Sequence, residues 1–145
     1  MARIDRARLD SGIFPVRLVM QTRFDDLDFQ GHINNVAVVV LLQEARVDFN
    51  RQAGLRGDIA GLRMMAAGLT VEYAGELRYP EPVEAVSGVL AIGRTSFTLG
   101  QVLLQKDLPK TYSEATLVFA DDSGPAAIPD AIRRRLESLL LKVAA

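Results

Sequence analysis

The stretch VAVVVLLQEARVDFNRQAG, residues 36–54, decides how the rest of the chain is read. Its first half is rich in β-branched residues, which suit a strand. Three features turn the reading to a helix. Asn34 or Asn35 in front of it is a good N-cap, because an Asn side chain accepts from the free N–H groups of a first turn. Gly54 behind it is a good C′ residue, with Arg51 in the turn before. Gln43, Glu44, Arg46, Asp48, Asn50 and Arg51 interrupt Leu42, Ala45, Val47 and Phe49 too irregularly for one continuous strand, and the segment is too long for one. The first half is apolar all round, which predicts a helix buried on most sides.

On the N-terminal side, residues 25–35 (DDLDFQGHINN) are dense in loop formers and read as a turn. Residues 16–24 alternate through Val16, Leu18 and Met20 and read as a strand. Residues 1–14 are polar and read as a surface segment. On the C-terminal side, residues 55–61 form a loop. Four β-like stretches follow, at 64–79, 82–92, 95–105 and 110–120, the first with room for a bulge at Gly68 or Gly75. Residues 121–125 (DDSGP) break the chain. A last helix over 129–143 carries Ile132, Leu136, Leu139, Leu140 and Val143 at helical spacing. The order predicts one α+β domain over residues 1–145, an antiparallel sheet with a helix it can wrap. Gly68, Gly75, Gly88 and Gly100 would let the strands bend around it.

Composition narrows the function classes. The chain has 145 residues, a net charge of −1, one His and no Cys. Disulfides, thiol catalysis and thiolate metal sites are excluded. The balanced charge argues against nucleic acid, which asks for a clustered basic surface. The longest apolar run, residues 36–42, is far below the roughly 20 residues that span a bilayer, so no membrane partner is expected. The N-terminus lacks an apolar signal region, so a cytoplasmic protein is expected.

The chemistry-bearing residues gather in the loop before the helix. Asp26, Asp28, Gln30 and Gly31 match positions 1, 3, 5 and 6 of a calcium loop, but position 12 is Ala37 where a Glu is needed. His32 has no second His or Cys to share a metal, so no metal is expected. Asp and Asn also fill turns for local backbone reasons alone. The functional reading is catalytic. Asp28 stands a few residues before a helix N-terminus, whose free N–H groups can hold a carbonyl oxygen and the charge that grows on it. A carboxylate beside such donors can hydrolyse an activated acyl group without Cys or a Ser-His-Asp set.

The run Arg23-Phe24-Asp25-Asp26-Leu27-Asp28-Phe29-Gln30-Gly31-His32-Ile33-Asn34-Asn35, followed by Glu44-Ala45-Arg46, resembles the hotdog-fold thioesterases of the 4-hydroxybenzoyl-CoA thioesterase-like family. The likeness continues through residues 73–82 and 92–97. It implies a hotdog fold, a long central helix wrapped by a curved five- or six-stranded antiparallel sheet. It implies hydrolysis of an acyl-CoA or acyl-carrier thioester, no cofactor, and a homodimer or homotetramer with sites between subunits. By position Asp28 matches the catalytic aspartate. The amides of Gly31, His32 and Ile33 would polarise the thioester. Asn34 and Asn35 would cap the helix and line the mouth of the site. Glu44 would reach the substrate, and Arg94, Thr95 and Ser96 would contact coenzyme A. The family often carries an aromatic where this chain has Val38, so the acyl pocket is expected to differ. The rival reading is a non-catalytic module that binds acyl-CoA or another small ligand on the same scaffold.

Overall fold

The computed structural model describes residues 3–55 and 61–143. The long helix, α2, spans Asn35–Gln52, after a short helix α1 (Arg6–Ser11) and strands β1 (Gly12–Ile13) and β2 (Val16–Met20). Strands β3 (Arg63–Tyr73), β4 (Val83–Ile92), β5 (Ser96–Gln105) and β6 (Leu108–Asp121) follow, then β7 (Gly124–Pro125), helix α3 (Asp130–Ser138) and β8 (Lys142–Val143). The main sheet is antiparallel in the order β2-β4-β5-β6-β3, with β7 on β6. It curls around α2, and this is the hotdog arrangement.

Both ends of α2 form as the sequence predicts. Asn34 is the N-cap, its side chain accepting from Ala37 N–H at 2.8 Å. At the other end Gly54 has φ +73. Its N–H donates to Arg51 C=O, and Leu55 N–H reaches back to Asn50 C=O at 2.7 Å. That pair of bonds is a Schellman motif, and the left-handed residue it needs is cheapest as glycine. We expect Asn34→Ala to cost about 1 kcal/mol of stability, since it orphans a helix N–H; urea unfolding checks it.

Two apolar clusters fill the space between helix and sheet. Met20, Ala37, Val38, Leu41, Leu42, Val83 and Leu103 form one. Phe49, Val89, Phe97, Leu117 and Phe119 anchor the other, closed by Ile132 and Leu136 of α3. A buried polar row, Ser87 hydrogen-bonded to Gln101 with Ser113 beside it, lies between them.

The enclosure of α2 is less complete than its composition predicts. Val36, Val40 and Val47 are 69%, 57% and 57% exposed. The sheet covers one side of the helix, and among the described residues no further layer covers the other.

The ends of the chain also differ from expectation. The segment expected at the surface, as described from residue 3 to 14, is more than that: Ile4 and Leu9 are buried against the outer face of the sheet with Val86, Leu90, Val102 and Tyr112. Polar contacts fix them there. The Ile4 N–H, and then the Arg6 guanidinium, hold the Glu72 carboxyl below the usual carboxylate range. Burial, and then its bond to Asp10, push the Tyr112 hydroxyl up to about 12. The last helix ends at Ser138, and Lys142–Val143 instead pairs with β1.

The strand glycines act mostly by making room. Gly88 and Gly100 pair across β4 and β5. A Cβ at Gly100 would sit 3.0 Å from Leu9 and Leu90 side-chain carbons, and one at Gly88 3.0 Å from Pro15. Gly68 does mark a register shift in β3, whereas Gly75 lies beyond its end.

Candidate active site

Two segments meet at the end of the sheet where β2 stops. One is the loop between β2 and α2. The other, residues 74–82, crosses the sheet end from β3 to β4. Buried Gln105 pins this crossing, accepting from Arg78 N–H at 2.8 Å and donating to the carbonyls of Arg78 and Glu81. The two segments are joined by the bond from Ile33 N–H to Leu77 C=O at 2.9 Å and by a bridge between His32 and Arg78.

The loop is a tight turn built on Asp28. Its C=O accepts from Gly31 N–H at 3.1 Å, and its N–H donates to His32 C=O at 2.8 Å. Gly31 has φ +83, a conformation that costs other L-residues about 1–2 kcal/mol. The carboxylate Oδ1 accepts from the N–H groups of Gln30 at 2.9 Å and His32 at 3.1 Å. Oδ2 has no hydrogen-bond partner among the described residues. One oxygen thus orients the group and the other faces no competing donor. Asn34 fastens the loop to the helix, its N–H and side-chain amide both donating to Asp26 C=O at 2.8 Å.

An open cleft of about 270 Å³ lies under this turn, lined by Asp28, His32, Asn35, Val38, Tyr73 and Glu76 among others. His32 is bonded through Nε2 to the Glu76 carboxylate at 2.9 Å. Its ring is therefore committed to Glu76 and makes no dyad with Asp28. The Tyr73 hydroxyl donates to Asn35 C=O at 3.3 Å, tying β3 to the first residue of the helix.

Each amide named from the sequence is already engaged: Gly31 with Asp28 C=O, His32 with the Asp28 carboxylate, Ile33 with Leu77 C=O. The turn consumes them in holding its own shape. The first helical residues, Asn35 and Val36, have N–H groups with no hydrogen-bond partner among the described residues, as helix geometry requires. Asn35 lines the cleft with Asp28.

Other candidates lie apart. Glu44 is exposed on α2, nine residues beyond Asn35 and so about 14 Å along the axis. Arg94 and Thr95 lie in the turn between β4 and β5 and Ser96 opens β5, at the opposite end of the sheet, about 30 Å away by the length of β5. Their backbone is fixed there: Thr95 C=O accepts from Phe119 N–H, and Arg94 C=O from Ile128 N–H. Tyr73 and Glu76 are cleft residues that loop composition does not single out. Their signal is the 73–82 stretch, recognisable in sequence but without assigned roles. Among the described residues no group of three or more His, Asp or Glu could hold a metal. No helix of the described residues is long and apolar enough to cross a membrane.

Comparison with known proteins bears on the family and the fold. Residues 22–136 match the family model described as the thioesterase-like superfamily. A predicted thioesterase from Bacillus stearothermophilus is 26% identical, with a TM-score of 0.79 over 88% of this chain and 98% of that one. A thioesterase from Thermus thermophilus, solved with coenzyme A and Zn, is 25% identical, with a TM-score of 0.76 over 87% and 95%. The PA5185 protein of Pseudomonas aeruginosa shares the fold at 21% identity, with a TM-score of 0.79 over 90% and 95%. No curated protein matches the chain.

Proposed function

The chain belongs to the thioesterase-like superfamily, and from that premise we propose that it hydrolyses the thioester of an acyl-CoA or acyl-carrier substrate, with Asp28 as the catalytic residue. The observation that carries this reading is the pairing, in one cleft, of the Asp28 carboxylate with the helix N-terminus at Asn35. Among the solved likenesses, the Thermus thermophilus thioesterase was obtained with coenzyme A, which supports a CoA thioester as substrate.

The chemistry follows from those two groups. The thioester carbonyl oxygen accepts from the Asn35 N–H, where the helix dipole favours negative charge. A carboxylate is a weak base at neutral pH but an available nucleophile. Asp28 Oδ2 attacks the acyl carbon, and charge collects on the oxygen held at Asn35. The C–S bond breaks, the thiolate leaves and takes a proton from water, and a mixed anhydride remains. Water attacks the anhydride at the Asp28 carbonyl, so the acyl group leaves as the carboxylic acid and Asp28 is restored carrying the water oxygen. The sum is thioester plus water giving carboxylic acid plus thiol. A single turnover in ¹⁸O-water reads the nucleophilic role: label appears in Asp28, whereas a general-base role leaves Asp28 unlabelled.

The active form in this reading is a homo-oligomer. Strand β3 is a sheet edge, and Met65, Leu69 and Tyr73 on it are 55%, 42% and 48% exposed. A long bare edge is a template for a second copy. β3 runs from Arg63, beside Ala120 and the Arg94 turn, to Tyr73 at the cleft. Antiparallel pairing of two β3 edges therefore brings Arg94, Thr95 and Ser96 of a second copy towards Asp28, where they would contact coenzyme A. The roles of Asn34 as cap, Asn35 as lining and Glu44 as a more distant substrate contact belong to the same reading.

Thiol release across acyl-CoAs of graded length, with benzoyl and phenylacetyl thioesters included, tests the function. At least one should be turned over; none being cleaved would remove the assignment.

A further inference from the structure

A second cavity, of about 190 Å³, lies where the β5–β6 hairpin overhangs the crossing segment, lined by Arg78, Glu81, Gln105, Lys106, Leu108 and Lys110. Three of these are cations and one is a carboxylate. Glu81 meets Lys106 at 3.8 Å. Among the described residues neither Arg78 nor Lys110 has an ion-pair partner, so positive charge is in excess.

The cavity is built from fixed parts. Gln105, 5% exposed, clamps the backbone of Arg78 and Glu81. Lys106 and Asp107 make a two-residue turn in which both φ values are positive, +50 and +63. Such turns favour Asn-Gly, so a lysine here holds a conformation its side chain disfavours. Strain of that kind collects where a side chain is needed. Lys110 passes over Gly75, where a Cβ would stand 2.9 Å from Lys110 Cδ and 3.5 Å from Nζ. Gly75, Glu76 and Leu77 line the Asp28 cleft, and Arg78, the next residue, lines this cavity. The two share a wall.

We propose that Arg78, Lys106 and Lys110 bind a phosphate of the thioester's carrier arm. This rests on the thioesterase reading, which supplies the anion: an acyl chain brings no charge that needs three cations, whereas coenzyme A and a 4′-phosphopantetheine arm both carry phosphate. Lysine and arginine are the side chains that hold it. The chain's overall charge of −1 makes this local excess a feature of the cavity and not of the whole surface.

The test is the double variant Lys106→Glu with Lys110→Glu, with Lys110→Ala as a milder partner. One acyl group is presented on coenzyme A, on 4′-phosphopantetheine and on pantetheine, which has no phosphate. For acyl-CoA, kcat/KM should fall about tenfold or more through KM, with kcat nearly unchanged, while the pantetheine thioester is unaffected. An equal loss on the phosphopantetheine thioester assigns the phosphate that both carriers share; a loss confined to acyl-CoA assigns the nucleotide phosphates. Loss on pantetheine to the same degree, or on no substrate, overturns the proposal. Calorimetric binding of free coenzyme A keeps it separable from the hydrolysis claim. About tenfold weaker binding by the double variant supports the site even if no thioester is cleaved. Unchanged binding removes the site while leaving the Asp28 reading intact.

Discussion

Asp28→Asn lowers kcat for thioester hydrolysis by about 10²- to 10⁴-fold while leaving the fold and coenzyme A binding in place. The amide has the size of the carboxylate and can still present an oxygen to the N–H groups of Gln30 and His32, which orient the side chain. The turn that positions Ile33 and Asn34 is therefore kept. What is lost is the charged, unpartnered Oδ2, the proposed nucleophile. Steady-state thiol release gives the rate, and calorimetry gives the coenzyme A affinity. A non-catalytic binding module would behave differently: turnover by the variant would equal that of the parent, and Asp28 would lose its role.

The second large effect comes from the bare edge. If the proposed oligomer forms through this edge, Leu69→Asp should leave a monomer at micromolar concentration and lower activity towards acyl-CoA at least tenfold. Leu69 is 42% exposed on the isolated chain, so a charge there disturbs the monomer little. Against a second β3 the same charge would be buried without a partner, which costs several kcal/mol. In the proposed dimer activity falls with assembly, because Arg94 lies at the opposite end of its own sheet and would reach the cleft only from another copy. Sedimentation velocity and thiol release, run on the same sample, check both halves. A monomeric variant with full activity would show that one chain carries the whole site.

Much of this architecture is legible from a few residues. Asn34 and Gly54 bracket α2, and each acts through a local bond that sequence can anticipate. The exposed stripe of Val36, Val40 and Val47 departs from expectation for a physical reason. An apolar side chain announces that it will be covered; it does not announce whether by its own chain or by another. The docking of Ile4 and Leu9 leaves no sequence signal because a six-residue helix offers too few apolar positions to show a period. Gly88 and Gly100 read as bends in sequence because the approach of Leu9 and Pro15 is a tertiary fact.

The site divides along the same line. Asp28, the N-cap Asn34 and Asn35 at the start of α2 are close neighbours in the chain, so their proximity is covalent and readable. Which amides stay free depends on the hydrogen-bond register of the turn. Gly31, His32 and Ile33 spend theirs on the turn and on Leu77, and Asn34 spends its own on Asp26 C=O, so Asn35 is the first residue of the run with an unpartnered N–H among the described residues. Tyr73, at the end of β3, and Glu76, in the crossing segment, arrive from about 45 residues downstream, so their place beside Asp28 is set by tertiary structure and not by any local pattern.

The most direct measurement is the crystal structure of the Asp28→Asn variant with an unhydrolysed acyl-CoA. The thioester carbonyl oxygen should lie about 2.9 Å from the Asn35 N–H, with the acyl carbon within about 3.5 Å of the residue 28 side chain. A thioester bound with its carbonyl turned away from the start of α2, or seated outside the cleft altogether, would contradict the account.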